Sequence, residues 1–158
     1  MFATTRNPGG ADRLIAIGAD HVLLDDGQVH AQVRALLPEG VHHALEVVGA
    51  ATVKDTLKAV RHWGQVAVVG LLGGPPVLDR FNLMGDLPNT VRLSFFSSGL
   101  LGSDALPLRD SPLNWVAEQI ARGAMPDAVA RTFPVEDIRE AHRLLDAGTA
   151  NGKIVVTF

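Results

Sequence analysis

Six histidines, with no cysteine and no tyrosine, limit the chemistry this chain can perform with its own side chains. His42 and His43 are adjacent, and on a strand adjacent side chains face opposite ways, so they cannot chelate one ion together. His21, His30, His62 and His142 show neither an i, i+4 pair nor an H-E-x-x-H arrangement. His142, beside Ala141 and Leu145, reads as a half-buried structural histidine, and no metal site is expected. There is no G-x-S-x-G elbow for an acyl nucleophile and no G-x-x-x-x-G-K-[ST] phosphate loop. Asp25-Asp26 is an acidic pair in a turn with no partner to make it a general acid–base site. What remains is Thr4-Thr5-Arg6-Asn7, a cation among hydroxyls with no acid before Asp12. A planar, permanently charged guanidinium suits a phosphate. The plain alternative is a solvated loop cation.

The elements that must position these residues alternate between strand and helix. Met1 to Thr4 is short and extended, and Asn7-Pro8-Gly9-Gly10 forces a loop. From Ala11, Leu14, Ile15 and Gly18 fall at helical spacing, with Asp12 suiting the first turn and Gly18 the end. His21 to Leu24 reads as a short strand. Val29, Val33, Leu36 and Leu37 mark a second helix, stopped by Pro38-Glu39-Gly40. Val41 to Val48 reads as the third strand, and Thr52 as the cap of a helix whose inner face is Val53, Leu57 and Val60. Gln65 to Val69 is the clearest strand, apolar on both faces as a covered parallel strand should be. Val91 to Phe96 is another strand, and Leu113, Val116 and Ile120 give a helix ending near Gly123. Val129 to Phe133 is extended, Val135 to Ala147 helical, and Gly152 to Phe158 a final strand. This alternation predicts an α/β fold with a mostly parallel, doubly wound sheet.

The bulk numbers fit one domain with a real core: 158 residues, 47% apolar and 20% charged. A net charge of −3 without a dense Lys/Arg run argues against nucleic acid as a partner. No signal-like leader and no run of eighteen apolar residues appear, so membrane association is not expected and a cytoplasmic location is.

Three segments carry a family resemblance. Ile17-Gly18-Ala19-Asp20-His21-Val22 resembles the step between the second and third strands of medium-chain dehydrogenases/reductases. Ala44-Leu45-Glu46-Val47-Val48-Gly49, with Trp63-Gly64-Gln65-Val66-Ala67-Val68-Val69-Gly70 after a helix, is similar to that family's fourth and fifth strands. Ile138-Arg139-Glu140-Ala141-His142-Arg143-Leu144-Leu145 and Gly152-Lys153-Ile154-Val155-Val156 resemble its C-terminal signature. Together they point to the quinone-oxidoreductase and alcohol-dehydrogenase-like branch. The resemblance implies a Rossmann-type domain over 1–128 and, over 129–158, a strand–helix–strand that returns to a substrate domain. It also implies NADP(H) as cofactor and a small carbonyl or quinone as substrate.

Residue by residue, the resemblance puts Thr5, Arg6 and Asn7 at the adenosine ribose, where an NAD site would place an acid. Val48 and Gly49 would flank the adenosine side, and Gly70, Leu71 and Leu72 would lie under the nicotinamide half; turn-making alone is the alternative for the glycines. Phe95, Phe96 and Ser97 would touch the nicotinamide end, with at least one phenylalanine in the core because neighbours on a strand face opposite ways. Asn151 and Lys153 match a C-terminal segment that reaches toward the cofactor. No catalytic residue is implied, since quinone-reductase relatives without zinc need no strong proton-transfer side chain from this half.

The departure is the glycine-rich turn: Gly9-Gly10 and Gly73-Gly74 lack G-x-G-x-x-G spacing. By resemblance the chain opens on the family's second strand, without the central first one. The strands flanking that place either pair directly, or another chain fills the gap, or the fold is poorly stable. Two readings follow. One is the nucleotide-binding portion of an NADPH-dependent oxidoreductase, incomplete and weakly active or inactive alone. The other is a non-catalytic, truncated fragment or self-associating module, with a homo-oligomer expected.

Overall fold

Every strand-to-strand ladder in the computed structural model, which describes Met1–Phe158, is parallel. The backbone groups in two compact units, Met1–Asp110 and Ser111–Phe158.

The first unit runs β1 (Phe2–Thr5), α1 (Ala11–Ala16), β2 (His21–Leu24), α2 (Val29–Leu36), β3 (Val41–Glu46), α3 (Val53–Ala59), β4 (Val60–Val68) and β5 (Arg92–Phe95). α1 is short because Gly18, at φ +111°, takes a left-handed turn and lets the Ala19 amide return to the Leu14 carbonyl at 3.0 Å. β1 pairs with β2, and β3–β4–β5 form a separate three-stranded sheet. One core holds Val53 and Leu57 of α3 against Val60, Val66 and Val68 of β4 and Val91. A second joins Leu23 of β2, Val33 of α2 and Ala59, with Phe2 and Val41 packed against it, and so ties the two sheets together. Each such buried aliphatic side chain contributes about 1.5–3 kcal/mol of transfer free energy.

β1 and β3 do not pair with one another; each has a single ladder partner. Of the arrangements open from the sequence, direct healing of the gap is therefore not the one adopted. Apolar surface stays open on both sheets, with Leu45 of β3 69% exposed and Leu24 of β2 44%.

Among the boundaries that differ from the sequence expectation, those of β4 and β3 have a visible cause. β4 starts at Val60, which pairs with Val41 instead of extending the helix. The next aligned pair is His43 with Gln65, so one β3 residue faces four on β4, and the bulge carries Trp63 at φ +65°. That bulge interrupts the apolar alternation, which resumes only at Gln65. β3 ends at Glu46, two residues early, because its side chain folds back onto the following turn.

The second unit contains α4 (Leu113–Ala121), β6 (Val129–Pro134), α5 (Ile138–Asp146) and β7 (Lys153–Thr157). β6 and β7 pair in parallel. Residues Val135–Asp137 form a 3-10 turn ahead of α5, so the α-helix begins three residues later than its apolar spacing suggests. The buried side chains are Phe133 and Ala141, and the Arg131 guanidinium lies 4.7 Å from the centre of the Phe133 ring.

Candidate functional site

Ladder register sets three of the predicted segments side by side. Glu46 is opposite Val68, and Val68 is opposite Phe95, so β3, β4 and β5 end in one row. Val48-Gly49, Gly70-Leu71-Leu72 and Phe96-Ser97 leave the sheet from that row, at the carboxyl ends where open α/β sheets bind ligands. Main-chain bonds join them: Val69 N–H donates to the Glu46 carbonyl, Gly73 N–H to the Val48 carbonyl and Phe96 N–H to the Val68 carbonyl, each at 2.8 Å.

The glycines here serve loop against loop. Gly49 is buried at φ +97°, and a Cβ on it would lie 2.8 Å from the Gly70 carbonyl oxygen. A Cβ on Gly70 would strike the Val47 carbonyl in turn. Leu71 and Leu72 are exposed, Leu72 at 85%. Phe95 and Phe96 are both exposed as well, at 58% and 42%, which corrects the expectation that one of them is core. β5 is the edge strand of its sheet, and the turns that follow it within the unit bring no covering helix.

The β1 end has its own chemistry. The Thr5 hydroxyl accepts from Asn7 N–H at 3.0 Å, and the Asn7 side-chain carbonyl accepts from Gly9 N–H at 3.0 Å. Both side chains therefore build the turn. Arg6 is exposed and takes no part in the chain's ion pairs, so its guanidinium is free for an anion. Asn151, at φ +54°, and Lys153 are exposed and belong to the second unit. Thr52 does stand at the start of α3, but its hydroxyl does not cap the helix; it donates to Glu46.

Glu46 is the residue that sequence reasoning missed. It is 5% exposed, the one charged side chain in the buried set. Its Oε1 accepts from Val48 N–H at 2.8 Å, Gly49 N–H at 3.0 Å and the Thr52 hydroxyl at 2.9 Å, while Oε2 accepts from the Thr56 hydroxyl. The available signal was an acid at a strand end, followed by Gly49 and by two threonines at helical spacing.

Two further polar ties hold the surrounding helices. Asp55 of α3 accepts the backbone N–H of His30 at 3.0 Å and also meets its ring Nδ1, pinning the start of α2. Lys54 reaches Asp86 at 3.0 Å and the carbonyls of Asp79 and Arg80 at 3.2 Å, closing the long loop over α3. The Asn82 backbone N–H, and then Lys54, hold the Asp86 carboxyl below the usual aspartate range. A cavity of about 430 Å³ opens between Ala50–Lys54 and the Gly73–Asp79 stretch. No three His, Asp or Glu side chains converge to hold a metal ion.

Comparison with known proteins places this geometry. Residues 17–156 match the family described as zinc-binding dehydrogenase. A Bacillus subtilis protein named "Putative quinone oxidoreductase YhfP" is 27% identical over 99% of this chain and 46% of its own. The mitochondrial NAD(P)H oxidoreductase RTN4IP1 of Bos taurus is 28% identical over 89% of this chain and 37% of its own. Among solved structures, a mycobacterial quinone oxidoreductase superposes with a TM-score of 0.76 at 27% identity, over 99% of this chain and 48% of that one. The chain thus spans less than half the length of these relatives.

Proposed function

The chain belongs to the zinc-binding dehydrogenase family, within the medium-chain dehydrogenase/reductase superfamily, and on that premise we propose that it is the cofactor-binding portion of an NADPH-dependent oxidoreductase. The observation that carries this reading is the row of strand ends at Glu46, Val68 and Phe95, with free Arg6 at the end of β1. Arg6 holds the 2′-phosphate of the adenosine ribose, and no acid stands between it and Asp12 to hold a 2′-hydroxyl instead. Val48 and Gly49 flank the adenosine side, Gly70 to Leu72 lie under the nicotinamide half, and exposed Phe95, Phe96 and Ser97 meet its end. Asn151 and Lys153, in the second unit, are carried as cofactor-contact candidates by the family resemblance alone. In this scheme 1–128 is the nucleotide-binding domain and 129–158 returns the chain toward a substrate domain. NADPH held by these residues would supply the hydride for reducing a small quinone, enone or other carbonyl, while the protein would supply position and electrostatics.

The zinc in the family's description does not fit these side chains. There is no cysteine, and no His, Asp or Glu trio is assembled, so this chain's own side chains offer zinc no ligand set. The pyrophosphate cradle G-x-G-x-x-G is also absent, so the chain alone binds NADPH weakly and is weakly active or inactive. Titration by nucleotide fluorescence tests the assignment. Arg6→Ala is expected to weaken NADPH about tenfold and leave NADH within about twofold, the loss of one charge-assisted phosphate contact. Equal effects on both nucleotides reject the phosphate role, and sub-micromolar NADPH binding by the unaltered chain rejects the weak-site argument.

A second reading is favoured by one observation, the free edges of β1 and β3, with Leu45 of β3 exposed. Under it the chain is a self-associating, non-catalytic module whose open edges are taken up by a second copy.

A further inference from the structure

Burying a carboxylate with no cation beside it is costly, and it persists only where hydrogen bonds satisfy it. Glu46 meets that condition with four donors and no Lys or Arg. A neutral side chain could end a strand at no such cost. The reason for a buried polar anchor at this position lies in what the four donors hold.

Two of the donors are the amides of Val48 and Gly49, and the other two, Thr52 and Thr56, lie on the turn into α3 and on α3 itself. The Glu46 main chain meanwhile binds Val69 at the end of β4, and Val48 binds Gly73. One residue thus fixes the β3 exit loop to α3 on one side and to the β4 exit loop on the other. Four hydrogen bonds converging on one side chain hold the loop more tightly than its own turn chemistry would. The Val48 and Gly49 amides are thereby engaged within the protein, so neither is free to donate to a ligand.

We propose that Glu46 is a positioning residue for dinucleotide binding, setting the shape of the Val47–Thr52 loop without touching the ligand; this rests on the cofactor-binding reading above. Glu46→Gln preserves the shape, since its carbonyl keeps the three Oε1 donors and its amide can donate to the Thr56 hydroxyl, whereas Glu46→Ala removes the anchor.

The test measures two quantities on the full chain: amide exchange at Val48 and Gly49 by NMR, and NADPH affinity by fluorescence titration. Leu57→Ala serves as the control for general destabilisation, being fully buried in the same α3 helix. Glu46→Ala is expected to speed exchange at both amides and to weaken NADPH by about tenfold more than Leu57→Ala does. Glu46→Gln should return both quantities to within about threefold of the unaltered chain. Should Glu46→Ala not fold, the double variant Thr52→Val, Thr56→Val decides, with a threefold or greater loss of NADPH affinity expected and no loss overturning the proposal. Exchange at Val48 and Gly49 that stays unchanged in Glu46→Ala, or a loss of affinity no larger than the control's, also overturns it. If the unaltered chain shows no NADPH binding, the cofactor reading falls first, a failure distinct from normal binding that the Glu46 variants leave untouched.

Discussion

Gly49 and Gly70, at the ends of adjacent parallel strands, approach so closely that a Cβ on Gly49 would sit 2.8 Å from the Gly70 carbonyl oxygen. Gly49 also holds φ +97°, a conformation that other residues reach only with strain. Gly49→Ala therefore meets two penalties, backbone strain and a contact with main chain that cannot rotate away. A loss of about 2–4 kcal/mol is expected in urea unfolding. A change under about 1 kcal/mol would mean that the two loops part easily and that their contact does not fix the strand-end row.

The long loop after β4 gives a pH signature. Asp86 accepts the Asn82 backbone N–H at 2.8 Å and pairs with Lys54 at 3.0 Å, and these keep its folded-state pKa below the ordinary value. A depressed carboxyl contributes stability that is present above the unfolded pKa, about 3.9, and is lost as pH falls through the folded value. Asp86→Asn keeps the shape and removes the charge. Its unfolding midpoint should lie below that of the unaltered chain at pH 7, with the gap narrowing under pH 4 and closing in stronger acid. A gap that is constant across this range would assign the effect to shape instead of charge.

The family of folds was legible because apolar spacing survives wherever a helix or strand has one covered face. Val53 and Leu57 sit on the inner face of α3 as their spacing requires, and Val66 and Val68 are buried as a covered parallel strand predicts. What the sequence could not convey depends on contacts distant along the chain. The Val60 side chain fits a helix face or a strand equally well, and only pairing with Val41 across the Trp63 bulge decides. Phe95 and Phe96 carry a core-like composition, yet their strand is an edge without a cover, so both remain exposed. Thr52 has the composition of a helix cap, but a buried carboxylate six residues earlier claims its hydroxyl. For the candidate site, the strand-end segments were readable from the resemblance, whereas the burial of Glu46 shows only once the fold brings the Val48 and Gly49 amides and the Thr52 and Thr56 hydroxyls around it.

The free edges of β1 and β3 lead to the last prediction. Each strand shows unpaired main-chain groups along one side, and such an edge accepts any extended segment that reaches it. A second copy carries the same open edges and is present at the full protein concentration, so self-association should rise with concentration, giving dimers or larger species in light scattering. Leu45, 69% exposed on β3, adds apolar contact to such pairing. Leu45→Lys places a charge on that strand without disturbing a buried contact, and charged side chains are the common way to blunt an edge. The variant is expected to shift the mass distribution toward monomer at equal concentration, by several-fold in the apparent dissociation constant, while its unfolding midpoint changes little because exposed substitutions cost about 0.5 kcal/mol or less. A monodisperse monomer for the unaltered chain at high concentration would show that these edges are shielded from a second copy, and an unchanged dimer in Leu45→Lys would move the contact away from β3.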